Sequence, residues 1–381
     1  MSAARGSAPE RRSEPELLAL QQRGDLQVCT AAQFRDRVAE LGLEQAFRQT
    51  HVVVASEAGF TAQASLVLHL GPSDPPIRIE RCRLGPAEAG GGHGNTDLVL
   101  PIQSGGAAAL EALLQGQQLP FSASGQASPQ QPRQELETQL SLQQIGAGQL
   151  LLHRAIAENG VVAVSSRDGL TPTPWGPVLG PMGSALFSCA GAGSIGMTMP
   201  GLQALGPGSP VLVAGAVGWV SGAGAGHNPQ VRRQASGHAL SPGASCAVSV
   251  DLHGLERRWI RACEQRQEGS GLLVAMAAPV PLLDLAAARQ AACGNEQLHA
   301  PVLDYGVPRR VRPSLGSVSY AQLLSGKLSL GEQRIRCAPA HSPRQAEEIG
   351  AELCERLRSG LFPIRLPLVG LPQRPALLPL E

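Results

Sequence analysis

Between residues 169 and 250 the chain carries neither aspartate nor glutamate. Glycine, proline and other small residues fill the stretch, so chemistry that needs a carboxylate must draw on the flanks. We read this half as the glycine-rich wall of a site.

Two glycine runs inside it could cradle an anion. In "CAGAGSIG", Gly191, Gly193 and Gly196 have the spacing of a dinucleotide-binding turn after the strand-like "SALFSCA". That fingerprint needs a following helix and an acid about 20 residues on for a ribose. Pro200 and Gly201 break the helix, and no acid occurs before Asp251. The second run, "VLVAGAVGWVSGAGAGHNPQ", holds Gly215 and Gly218 and lacks the Gly-Lys-Ser/Thr of a Walker loop. It reads as a strand followed by a glycine loop whose backbone N–H groups could form an anion nest. The loop ends on His227 and Asn228, before a proline.

The flanks read as α/β. Residues 14–22 suit a short helix, "DLQVCT" a strand, and "AAQFRDRVAELG" an amphipathic helix capped by Thr30. "HVVVAS" is a buried strand, and "SLVLHLGPSDPPIRIERCRLG" two strands around a proline-rich turn. Residues 107–114 read as a helix, 117–134 as a long surface loop, "LLLHRAIAENG" as a helix and "VVAVSS" as a strand. Beyond residue 250, "GLLVAMAAPVPLL" is a strand, and "LLDLAAARQAAC" and "PRQAEEIGAELCERLRSG" are helices. The expected architecture is α/β: a mixed sheet with helices on its faces, a glycine-rich second half and a short N-terminal helical lead-in. Residues 1–13 read as a disordered segment, 14–366 as one domain and 367–381 as a proline-rich tail.

Composition removes several function classes. Of the 381 residues, 43% are apolar but only 3% aromatic, which leaves little ring area for stacking on bases. Thirty-one basic against 30 acidic residues give a formal charge of +1, too little to steer the chain to nucleic acid or an anionic membrane. The most apolar stretch, residues 271–288, contains Pro279, Pro281 and Asp284, which spoil a membrane span. The first residues lack the apolar core of a secretory signal. Eight scattered cysteines without a C-x-x-C pair read as reduced cytosolic thiols. His51, His69 and His93 have no paired spacing, so no metal site is expected. Lys327 is the only lysine and falls in "LLSGKLSL", a surface turn, which argues against a Schiff-base cofactor.

Two polar segments are candidates beside these runs. "SSRD", with Ser166, Arg167 and Asp168, follows a strand, where sites of α/β folds lie. An aspartate closing a turn is the plainer reading. "PRQELET" carries Arg133 and Glu135, and its alternating charge also suits a solvated strand face.

Taken in order, "LGPSDPPIRI", "PRQELET", "VSSRDGLTPTPWGPVLGPMGS", "GAVGWVSGAGAGHNPQ", "APVPLLDLAAARQAA" and "PVLDYGVPRRVRPSLGSVSYAQLLSGKLSL" resemble the homocysteine biosynthesis proteins with a sulfur-incorporation domain. The resemblance runs from about residue 15 to 365. It implies a cytosolic enzyme of amino-acid (methionine) biosynthesis, independent of pyridoxal phosphate. Such an enzyme adds reduced sulfur to aspartate semialdehyde, with a cysteine persulfide as carrier and a ferredoxin-like partner. It further implies site residues at Ser73 and Asp74, Arg133 and Glu135, Ser166, Arg167 and Asp168, Gly215 and Gly218, His227 and Asn228, and Asp304 with Tyr305. Among them an arginine would grip a substrate carboxylate, loop N–H groups would receive an oxyanion, and His227 would move a proton.

The family's cysteines are missing. One stands in a run of the form G-x-F-G-x-M-C-S-S-G upstream of S-D-P-P, where this chain has Ala62 or a neighbour; the other precedes P-R-x-E, where it has Gln130 or Gln131. Persulfide chemistry needs a thiolate, which neither side chain supplies. Three readings follow. The thiol has moved, to Cys82, Cys189 or Cys29; or the fold handles sulfur delivered by a partner; or catalysis is lost and the chain is a small-anion binding or regulatory relative.

Overall fold

The computed structural model describes residues 11–265 and 269–373. Of the expected disordered segment 1–13 only residues 11–13 are described, and the rest of that expectation lies outside the described residues. Arg12 there donates its backbone N–H to Leu283 O at 2.7 Å and lays its guanidinium over the Phe47 ring at 4.1 Å. The tail is described as far as residue 373; Leu368 N–H donates to Pro207 O at 3.2 Å.

The architecture is α/β and mixed, with one 14-stranded sheet, one six-stranded sheet, a two-stranded ribbon and helices packed on the faces. The large sheet rolls up on itself. Its strands Val52–Thr61 and Ala64–Leu70 are joined by two residues, yet five other strands lie between them in the sheet order. So short a link can join strands that far apart only if the sheet curls back, and the larger apolar core fills its interior with Leu66, Leu68, Leu150, Leu152, Val248 and Val274. The smaller sheet encloses a second core around Val162, Val302, Phe187 and Tyr320.

Local chemistry explains the element boundaries. Thr30 accepts the Gln33 N–H and Gln33 returns a bond to the Thr30 N–H, a reciprocal cap that starts the helix Ala31–Leu41. Asp284 caps Leu285–Ala291 and Ser342 caps Pro343–Arg358, which lays an apolar stripe including Ile349, Leu353 and Leu357 on the sheet. The short N-terminal helix is Glu14–Arg23.

Three sequence expectations change. "LLLHRAIAENG" belongs to the strand Ile145–Ala157, paired on one side with Ser245–Asp251 and on the other with Ala64–Leu70. The 117–134 loop contains the strand Leu119–Ser124. The glycine run 211–226 is a hairpin of Pro210–Val213 and Ala216–Ala223, turning at Ala214 and Gly215, where both φ values are positive. Among the described residues no helix is long and apolar enough to cross a membrane.

Candidate active site

A cleft of about 490 Å³ opens where the rolled sheet meets the smaller one. Glu57, near the end of Val52–Thr61, the linking residue Ala62, and Arg154 on Ile145–Ala157 face it from the large sheet. Cys189, just past the strand Ser184–Phe187, and Tyr305 and Arg312, beyond His299–Asp304, face it from the other side. His299–Asp304 runs parallel to Val162–Val164, so the segments leaving both strands emerge at one end of the sheet. Active sites of such sheets form at that end.

Cys189 is partly exposed on the cleft wall. Its Sγ lies 3.2 Å from Ser194 Oγ and accepts the Gly191 N–H at 3.5 Å. Burial pushes the thiol pKa up, while the neighbouring Ser194 and Tyr320 hydroxyls pull it back down. Gly160 is required opposite: a Cβ there would stand 2.5 Å from Cys189 Cβ. Behind the thiol, the fully buried Tyr320 donates to Asn159 Oδ1, and Asn159 Nδ2 donates to Ala239 O and His299 O.

Glu57 is the acid of this wall. Burial raises its pKa to about 7, and the Ile195 N–H donated to Oε2 at 3.3 Å pulls the other way. Its charge is close enough to disfavour the Cys189 thiolate further. A carboxyl poised near neutrality next to a thiol can take and return the thiol proton.

The lining also carries two cations, Arg154 and Arg312. Burial draws the pKa of Arg154 down from the usual guanidinium value, with Tyr305 opposing the shift. The Arg312 guanidinium lies 4.0 Å over the Tyr305 ring, which meets Trp175 edge-on at 6.0 Å. Among the described residues no carboxylate forms an ion pair with Arg154 or Arg312.

Of the residues singled out in the sequence, Cys189 and Tyr305 line the cleft. Asp304 stands just behind Tyr305 and accepts the Ser166 and Gly306 N–H groups. Burial works against its charge, but these bonds hold its pKa below the ordinary value. Arg167 and Asp168 are exposed in the next turn. The segments that carry Ser73 and Asp74 and that carry Arg133 and Glu135 are brought together, because Arg133 N–H donates to Pro76 O and Ile77 bridges Arg133. They lie outside the cleft lining, toward the far edge of the large sheet.

Gly215 and Gly218 shape the hairpin, with Gly215 O accepting from Arg356 at 2.6 Å. His227 is buried; its Nδ1 accepts the Ser245 N–H at 3.0 Å and its Nε2 donates to Pro372 O at 2.8 Å. Both ring nitrogens are thus engaged by backbone, and the ring pins the glycine run to the tail. Asn228 N–H donates to Gly243 O. Glu57 lines the cleft with Cys189, whereas His227 lies outside its lining.

The other two thiols are placed differently. Cys82 sits under an open depression of about 510 Å³ beside Glu135 and Glu137, and burial raises its pKa to about 11. Cys29 is 3% exposed in the strand Val28–Thr30, and burial raises its pKa against the nearby Arg37. Neither lines the cleft. No cluster of His, Cys, Asp or Glu side chains able to hold a metal ion occurs among the described residues.

The family described as "Homocysteine biosynthesis enzyme, sulfur-incorporation" matches residues 26–364. The chain belongs to that family. The L-aspartate semialdehyde sulfurtransferase of Methanosarcina acetivorans is 28% identical over 354 residues, covering 91% of this chain and 69% of the relative. The enzyme of the same name from Methanocaldococcus jannaschii is 27% identical over 364 residues, covering 89% and 69%. No solved structure gives a significant match. The stretch that the resemblance implies for a family cysteine, Ala62 or a neighbour, opens onto the same cleft as Cys189.

Glu57, Arg154 and Arg312 went unnamed in the sequence reading. A charged residue in an otherwise apolar strand was the available signal, in "VVVASEAGF" for Glu57 and "LLLHRAIA" for Arg154.

Proposed function

We propose that this chain is an L-aspartate semialdehyde sulfurtransferase that carries its sulfur on Cys189. The observation that carries the proposal is the shared cleft: Cys189 faces the space onto which Ala62 opens, and its lining also holds the acid Glu57 and two arginines that, among the described residues, no carboxylate pairs with. In the first step the Cys189 thiolate displaces a thiolate from a persulfide donor and takes its outer sulfur; Glu57 accepts the thiol proton. That sulfur then attacks the aldehyde carbon, and the carbonyl oxygen is protonated. One electron pair cleaves the sulfur–sulfur bond and returns the Cys189 thiol. A second pair, with loss of water, takes the aldehyde carbon to the level of the homocysteine thiol. Both pairs come from an electron carrier, for which a ferredoxin-like protein is the proposed partner. The described cysteines are all unpaired, which suits a reducing cytoplasm.

Loading with glutathione persulfide followed by alkylation and mass spectrometry tests the thiol. Sulfur is expected on Cys189, abolished by Cys189→Ser and retained by Cys82→Ser; sulfur only elsewhere overturns the assignment. Complementation of a homocysteine auxotroph tests the reaction. Growth is expected with the wild-type chain, whereas a binding or regulatory relative would not restore it.

A further inference from the structure

Arg154 and Arg312 come from segments more than 150 residues apart, one on the rolled sheet and one beyond the smaller one, and both face the cleft. A guanidinium is a fork of donors that matches a carboxylate, and its charge seeks an anion when no protein carboxylate is in reach. Neither arginine has such a partner among the described residues. Arg312 Nε is buried without a hydrogen-bond partner.

Both groups are also held in place. Arg312 lies on the Tyr305 ring, and that ring is backed by Trp175. Arg154 Nη1 lies against Gly226, where a Cβ would stand 2.9 Å from it. The glycine run therefore contributes the missing side chain that lets a guanidinium settle there. The lining thus combines an acid and a thiol, Glu57 and Cys189, with two cations, Arg154 and Arg312.

We propose that Arg154 and Arg312 bind the α-carboxylate of the substrate, selecting carboxylate-bearing amino-aldehydes and turning the aldehyde toward Cys189. This rests on the sulfurtransferase reading for the identity of the substrate, but the arginine pair can be tested without turnover. The probes are L-homoserine, the unreactive alcohol counterpart of the aldehyde, and 3-aminopropan-1-ol, which is the same molecule without the carboxylate. Titration calorimetry on the wild-type chain is expected to favour L-homoserine by about tenfold or more. Arg154→Gln and Arg312→Gln each reduce that ratio, the double variant brings it near one, and Arg154→Lys keeps part of it. Arg81→Gln, on the exposed face of another strand, leaves the ratio unchanged.

Persulfide loading of Cys189 in each variant reports that the fold is intact. In turnover, Arg154→Gln raises KM for the aldehyde more than it lowers kcat. A wild-type chain that binds the two probes equally, or a ratio that survives the double variant, overturns the proposal whether or not sulfur is transferred. If the ratio behaves as expected while no sulfur reaches the aldehyde, the anion site stands and the sulfurtransferase reading fails.

Discussion

The phenolic hydroxyl of Tyr320 donates a 2.6 Å hydrogen bond to Asn159 Oδ1, joining the helix Tyr320–Leu324 to the turn between the strands Ile145–Ala157 and Val162–Val164. The same hydroxyl reaches the Cys189 thiol and favours its ionised form. Tyr320→Phe should cost about 1 kcal/mol of stability, because Asn159 Oδ1 still accepts the Gly160 N–H. The thiol loses a neighbouring hydroxyl that favours its ionised form, so the pH dependence of Cys189 alkylation should move to higher pH. An unchanged profile would show that the hydroxyl does not act on the thiol.

Glu57 gives a pH signature of its own. Its folded-state pKa of about 7 lies above the ordinary 4.5. Between these values the unfolded chain has released a proton that the folded chain keeps, so stability falls as pH rises through the window. Glu57→Gln removes that loss, which approaches about 3 kcal/mol above pH 7. Denaturant unfolding should show the variant gaining on the wild type from pH 4.5 to 7 and matching it below. Persulfide loading should slow in the same variant.

His341 tilts stability the opposite way. Its ring stands edge-on to Phe187 at 5.4 Å, and burial drops its pKa to about 4 against an opposing pull from the Phe187 backbone. Between pH 6.5 and 4 the unfolded chain binds a proton that the folded chain refuses, so stability falls as pH falls. His341→Phe should flatten that acid limb, worth up to about 3 kcal/mol. Because the Glu57 and His341 effects oppose each other over most of this range, the wild-type curve should be flatter than that of either single variant.

Ala62→Cys in the Cys189→Ser background tests the shared cleft directly. Since position 62 opens onto the same space, the new thiol should take sulfur from the persulfide donor. Loading at Cys82 or Cys29 in its place would count against the cleft as the site of sulfur handling.

Gly226→Ala examines the glycine run. The residue has φ +70°, and its Cβ would press on Arg154 Nη1. A loss of about 1 kcal/mol in stability is expected from the backbone alone, together with weaker L-homoserine binding through the displaced guanidinium. Normal binding would separate the run from the site.

Much of the fold was legible in the sequence because caps and short apolar runs are local. Thr30, Asp284 and the C-terminal amphipathic helix illustrate this. The strand containing Arg154 was not legible: its residues fit a helical spacing, and only pairing with two distant strands makes it extended. Likewise the strand from Val52 reads as ending at Ser56, where polar residues begin. It continues to Thr61 because Gly269–Pro281 pairs with all of it. That continuation carries Glu57 to the cleft.

Cys189 could be named from the sequence only as one thiol among several. What separates it from Cys82 is its position opposite the link at residues 62–63, which depends on the sheet closing. The setting of His227 was hidden for the same reason, since nothing local reveals that Pro372 and Ser245 occupy both of its ring nitrogens.

The two-residue link that closes the rolled sheet supplies one wall of the cleft, and the segment carrying Cys189 beyond Ser184–Phe187 supplies another. Because Arg154 and Arg312 come from neither segment, the proposed sulfur carrier and the proposed carboxylate grip stand on separate pieces of chain. On that proposal, the position that bears the sulfur can change while the arginines stay as they are.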